Sequence, residues 1–159
     1  MSHASNKHII DKSKEIKALK QKYGERYFTD SQAIQEAAKL WGFSCNAHGV
    51  ITDYTEEQLV KVGGCEAKFY YATNDKGHVL VGLNFMTAIC GSTFAPSVFD
   101  TVGFADYHQA RLYAIEKAKA YFLQAAKSEN SCSSESNKRN AFKAAEQLKS
   151  QHNPQLTLF

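Results

Sequence analysis

The sequence lacks most of the marks that would assign it quickly. Its four cysteines, Cys45, Cys65, Cys90 and Cys132, form no CxxC pair, and four thiols in 159 residues make no dense disulfide framework. This argues against a disulfide-stapled scaffold and leaves the thiols reading as free and mostly buried. No apolar run approaches the roughly 20 residues needed to span a bilayer, so no membrane partner is expected. Residues Met1 to Lys7 lack the apolar core of a secretory signal, and the expected location is cytoplasmic. There is no phosphate-cradling glycine motif, no GxSxG and no HExxH, and no internal repeat is visible. Cys45-Asn46-Ala47-His48 has the spacing of half a zinc site, with Cys65 as a distant third ligand. A zinc signature needs two paired knuckles, so neither a metal nor a cofactor is expected.

With 43% hydrophobic and 22% charged residues, the chain has the composition of one globular domain with terminal extensions. Its formal charge of +3 is unevenly spread. Residues 1–26 carry seven basic side chains against three acidic, residues 27–105 four against eight, and residues 106–159 eight against five. Basic ends flank an acidic centre, a distribution that permits a nucleic-acid partner without establishing one.

Residues 8–23 read as a helix with Ile9, Ile16, Leu19 and Tyr23 near one face and Gly24 as a stop. Lys12, Lys14, Lys17, Lys20, Lys22 and Arg26 then form a candidate phosphate-contacting set. Thr29-Asp30-Ser31-Gln32 predicts a capping box with Thr29 as N-cap, opening a second helix that ends at Gly42. That helix carries a single basic residue, Lys39, too few for a recognition helix, and is expected to pack in the core. Residues 43–65 read as loop, with Thr55-Glu56-Glu57-Gln58 as a second capping box starting a short helix through Lys61. Residues 67–73 and 78–85 read as two strands of a hairpin around Asn74-Asp75-Lys76-Gly77. Residues 86–94 predict an extension or third strand, and residues 97–100 a short strand or turn. Phe69, Tyr70, Tyr71 and Phe85 on these strands are candidates for stacking bases if one face is open.

Asp106, with Gln109 at N3, caps the longest predicted helix, which runs to about Lys127 with Ala110, Ala114, Ala118 and Phe122 as its stripe. Residues 128–137, rich in serine, read as a linker. Residues 138–153 predict a final helix with Phe142, Ala145 and Leu148 on one side. Pro154 lacks an N–H and biases Asn153 away from helix, so residues 154–159 are expected to be extended. The expected fold is α+β: N-terminal helices, a small antiparallel sheet of two to four strands, a long helix packed on it, and a C-terminal helix with its tail. The expected boundaries are one α+β domain over 1–127, the linker, the helix and the tail. Strands followed by an alanine-rich helix over residues 66–122 resemble, in topology only, the closing part of a double-stranded-RNA-binding domain. That family's basic cluster at the start of the helix is replaced here by Asp106-Tyr107-His108-Gln109-Ala110-Arg111.

The tail carries the sharpest signal. Gln155-Leu156-Thr157-Leu158-Phe159 sets three large apolar side chains where a chain usually carries frayed polar residues. The pentapeptide resembles the short motif by which bacterial polymerases and repair proteins dock on the replicative sliding clamp. The resemblance implies that Gln155 enters a polar subsite, that Leu158 and Phe159 fill an apolar cleft, and that Leu156 adds packing. Thr157 stands where the motif often has Ser or Asp. The function expected is therefore that of a non-enzymatic adaptor or regulator on the bacterial DNA sliding clamp, in replication, repair or phage and plasmid biology. The alternative is a nucleic-acid-binding protein that uses the basic N-terminal helix and the strand aromatics, its tail packed on its own fold. A third reading, a small enzyme, would use Cys65 on the Gly63-Gly64 turn with His48, His78 or His108 as base.

Overall fold

The computed structural model of the chain describes residues 8–128 and 134–152. Among these the elements run β1 (Ile9–Asp11), α1 (Ser13–Tyr23), α2 (Ser31–Trp41), β2 (Thr55–Val62), β3 (Cys65–Thr73), β4 (Val79–Met86), β5 (Gly91–Phe94), β6 (Val102–Phe104), α3 (Tyr107–Ala126) and α4 (Glu135–His152). The strands hydrogen-bond in the order β1-β6-β4-β3-β2, with β5 also on β4. The fold is α+β, as the pattern predicts, with six strands where two to four were expected. No helix among the described residues is long and apolar enough to cross a membrane. The chain divides into two compact units. One comprises the described residues up to Thr55 with Tyr70–Gly82 and Ala95–Ala110; the other comprises Glu56–Phe69, Leu83–Phe94 and the described residues from Arg111 on.

In the first unit, the helix expected from residue 8 begins only at Ser13. Ile9 and Ile10 are β-branched and find a partner in β6, in the register Ile9↔Phe104, Ile10↔Gly103, Asp11↔Val102. The Asp11 carboxylate then accepts a hydrogen bond from the Ser13 N–H at 2.9 Å, marking the change from strand to helix. The N-cap of α2 is Asp30 and not Thr29. Asp30 Oδ1 accepts from the N–H groups of Gln32 (2.9 Å) and Ala33 (3.2 Å), while Thr29 ends a 3-10 turn with its hydroxyl donating to the Arg26 carbonyl. A carboxylate satisfies two orphan amides and complements the positive end of the helix, which a hydroxyl does less well. Gly42 closes α2 at φ 75°, ψ 38°, donating its N–H to the Ala38 carbonyl. Ile16 and Leu19 of α1 and Ala33, Ile34, Ala37 and Trp41 of α2 pack with Ala72 of β3, Leu80 of β4 and the Val98-Phe99 turn in one core. Residues 97–100 are that turn, held by the Ser97 N–H donating to Asp100 Oδ2 at 3.0 Å.

In the second unit, the stretch expected to be a short helix, Thr55 to Lys61, belongs to β2. A capping box is a local preference worth about 1 kcal/mol, and burial of Leu59 and Val60 in a paired strand overrides it. The Gly63-Gly64 pair between β2 and β3 is a two-residue hairpin loop, a strand signal within what read as loop. In β3 the buried positions are odd through Cys65, Ala67 and Phe69, then even at Tyr70 and Ala72. The parity changes at the residue where the chain passes from one unit to the other. Helix α3, which opens in the first unit and continues in the second, starts as expected, with Asp106 Oδ1 accepting from the Gln109 N–H at 2.9 Å, and Ala110, Ala114, Ile115, Ala118 and Phe122 are buried along it. Helix α4 starts at Glu135, three residues earlier than expected, because Ser134 caps it through the Asn137 N–H. Of the predicted linker, residues 129–133 lie outside the described residues. The buried stripe of α4 is Ala141, Ala144, Ala145 and Leu148, whereas Phe142, expected on that side, is 52% exposed.

Candidate functional site

Gln155, Leu156, Leu158 and Phe159 lie outside the described residues, and α4 is the last described element before them. What the structure defines is how the end of that helix is held. Glu57 of β2 pairs with Arg111 of α3, Oε2 to Nε at 2.9 Å. The same guanidinium donates through Nη2 to Gln151 Oε1 at 2.9 Å, and Gln151 Nε2 donates to the Leu59 carbonyl at 2.7 Å. The ion pair fixes the planar guanidinium, the guanidinium fixes the amide, and the amide caps a carbonyl of β2, which ends the strand order. Three half-buried side chains from three elements thus tie down the last turn of α4, three residues before Pro154. Nothing in the sequence pattern pointed to Gln151, because its partners lie 40 and 92 residues away.

The candidate phosphate-contacting residues do not form one stripe. Ile16 and Leu19 fix the inward face of α1, so helical spacing puts Lys20 and Lys22 on its two flanks and Lys14 and Lys17 outward. Lys20 sits over the Tyr27 ring at 4.9 Å. Lys22 pairs with Glu36 at 3.0 Å, and Tyr23 donates its hydroxyl to the same carboxylate oxygen. The hydrogen bond from Lys22 to Glu36 raises the Lys22 ammonium above its ordinary value and lowers Glu36. Lys12 leaves the helix altogether and lies over Trp41 at 5.4 Å. Lys14, Lys17 and Arg26 are exposed. The spread arises because the lysines follow no single helical period.

The strand aromatics are mostly enclosed. Phe69 is 0% exposed, Phe85 7% and Tyr70 9%. Tyr71 is half-buried and packs its ring on Tyr107 at 4.9 Å, Tyr70 packs on Tyr54 at 4.9 Å, and Phe85 on Tyr121 at 5.3 Å. Phe69, Tyr70 and Phe85 therefore serve the interior in this conformation and offer no open face for bases.

Cys65 is 1% exposed, and burial raises its thiol above the ordinary value, the environment of a packing thiol and not of a nucleophile. Cys90 is exposed, with its Sγ 3.3 Å from Thr87 Oγ1 and 3.5 Å from Tyr121 Oη. Those hydroxyls, Thr87 first, lower the Cys90 thiol, while burial above all pushes Tyr121 up to about 12. Among the described residues no three His, Cys, Asp or Glu side chains are grouped to hold a metal ion. Comparison with protein-family models, with curated proteins and with solved structures finds no match.

Proposed function

We propose that this protein is an adaptor that docks on the bacterial DNA sliding clamp through Gln155, Leu156, Leu158 and Phe159, and acts in DNA replication or repair or in the biology of a phage or plasmid. The single observation that carries the reading is the pentapeptide Gln155-Leu156-Thr157-Leu158-Phe159, set off from the preceding helix by Pro154. The arrangement around α4 supports it. With Gln151 tied to Arg111 and Leu59, the peptide is joined to a fixed point. A short span between anchor and motif keeps the folded body close to whatever the motif binds, which is what a tethered adaptor requires.

The energetics fit a reversible contact. Burying Leu156, Leu158 and Phe159 contributes roughly 1.5–3 kcal/mol each before costs. Ordering the peptide and losing translational freedom offset much of that, giving an affinity of about micromolar. Occupying the cleft that other clamp clients use would also let the protein compete with them. The test is a pull-down with purified clamp. The intact chain is expected to retain the clamp, and a chain ending at Asn153 to lose it; equal retention by the two would refute the reading.

A further inference from the structure

Within the first unit, a pocket of about 150 Å³ opens at the end of α2, and three separate segments bring cations to its rim. Lys39 comes from the last turn of α2, Lys76 from the turn between β3 and β4, and Lys12 from the junction of β1 and α1, with His78 also lining the pocket. We propose that this pocket binds a phosphate group, either a phosphodiester of a nucleic-acid backbone or the free anion. The proposal is independent of the clamp-docking motif.

The first support is the charge left uncompensated. Asp75 is the only carboxylate among the lining residues, against Lys12, Lys39 and Lys76. None of these three lysines enters an ion pair among the described residues. The second support is preorganisation. Asn74 Nδ2 donates to the Trp41 carbonyl at 2.6 Å, and Asn74 Oδ1 accepts from the N–H groups of Lys76 and His78, both at 2.9 Å. One amide thereby clips the strand turn to the helix end and fixes the backbone from which Lys76 and His78 project. The Trp41 indole, held by its N–H on the Asp100 carbonyl at 2.9 Å, gives Lys12 a surface to lie on. The third support is size. The volume equals that of roughly five waters, small for the drug-sized sites of about 300–1,000 Å³ but enough for a phosphate with part of its hydration. Trp41 is only 2% exposed and cannot stack a base, so the pocket suits phosphate and carries no sequence readout.

A competing role for Lys39 is to offset the negative end of the α2 dipole. That role concerns stability and predicts no anion-dependent signal, which makes the two separable. The experiment follows backbone and indole N–H resonances of the full chain during titration with inorganic phosphate, with a short single-stranded oligonucleotide, with its duplex, and with polyglutamate. Saturable shifts centred on Lys39, Gly42, Lys76, Gly77, His78 and the Trp41 indole are expected. Shifts with phosphate alone name the free anion as sufficient, while shifts only with an oligonucleotide name the backbone; both support the site. A Lys12→Gln/Lys39→Gln/Lys76→Gln variant should bind at least about tenfold more weakly and flatten the salt dependence by roughly one to two in slope. The matching lysine-to-arginine variant should retain binding, and Lys14→Gln/Lys17→Gln should leave these shifts unchanged. No localised shift with any phosphate probe, undiminished binding by the folded glutamine variant, or equal shifts with polyglutamate would each overturn the proposal.

Discussion

Asn74→Ala removes the clip on which the first unit depends most locally. Three hydrogen bonds go: Nδ2 to the Trp41 carbonyl, and the Lys76 and His78 N–H groups to Oδ1. Each is worth about 0.5–1.5 kcal/mol net. Lys76 is exposed, so water replaces its bond cheaply, whereas the Trp41 bond is half-buried and the carbonyl it serves belongs to a helix end. The expected loss is about 2–3 kcal/mol. In a chain of this size that is a fall in melting temperature of roughly 4–12 °C. Asn74→Asp keeps the acceptor but not the donor, so it isolates the Trp41 bond and should cost about 1–2 kcal/mol. Trp41 is the only tryptophan in the chain, so its fluorescence during urea unfolding reports directly on this region. An Asn74→Ala protein within about 0.5 kcal/mol of wild type would refute the clip.

Gly103→Ala would place a methyl 3.0 Å from two Trp41 ring carbons and from the Val79 carbonyl; overpacking of this kind should cost about 1–3 kcal/mol by the same fluorescence assay. Burial raises Asp100 to about 6, opposed by the Ser97 N–H and by Lys20. The folded protein then holds a proton there that the unfolded chain releases, so stability should fall by about 1–3 kcal/mol as pH rises from roughly 4 to 6. Asp100→Asn should flatten that segment of the stability profile, and an unchanged slope would show that the carboxyl titrates normally. In a Cys132→Ser background, iodoacetamide should label Cys90 before Cys45 and Cys65. Tyr121→Phe and Thr87→Val should each slow that labelling, while faster labelling of Cys65 would contradict its burial.

The α+β class, the 67–85 hairpin, the Asp106 cap, the alanine stripe of α3 and the Gly42 stop were legible because each rests on neighbours in sequence. What escaped depends on distant partners. β1 and β6 are three residues each and stabilise one another across more than ninety positions, so neither has a period long enough to detect. β2 carries a helix-capping pattern that its pairing overrules, and only Gly63-Gly64 hinted at a hairpin. Phe142 reads as inward because Ala145 and Leu148 follow it at helical intervals, yet the buried stripe reaches those two through Ala141 and Ala144. The cation cluster was invisible for the same reason as the Gln151 anchor. Lys12, Lys39 and Lys76 lie far apart in sequence, and it is the side chain of Asn74 that clips two of their segments together.

The central claim is tested most directly by calorimetric titration of purified clamp with the full chain and with its Leu158→Ala/Phe159→Ala variant. The expected result is a dissociation constant of about micromolar for the wild type. Each truncated anchor should cost about 2 kcal/mol or more, which takes the double variant to the limit of detection. Thr157→Ala should bind nearly as wild type. Melting temperatures measured without clamp should be the same for all three proteins, since the claim places these side chains on the partner and not in the protein's own core. Equal affinity for wild type and the double variant, or a double variant that melts several degrees lower without clamp, would contradict the account.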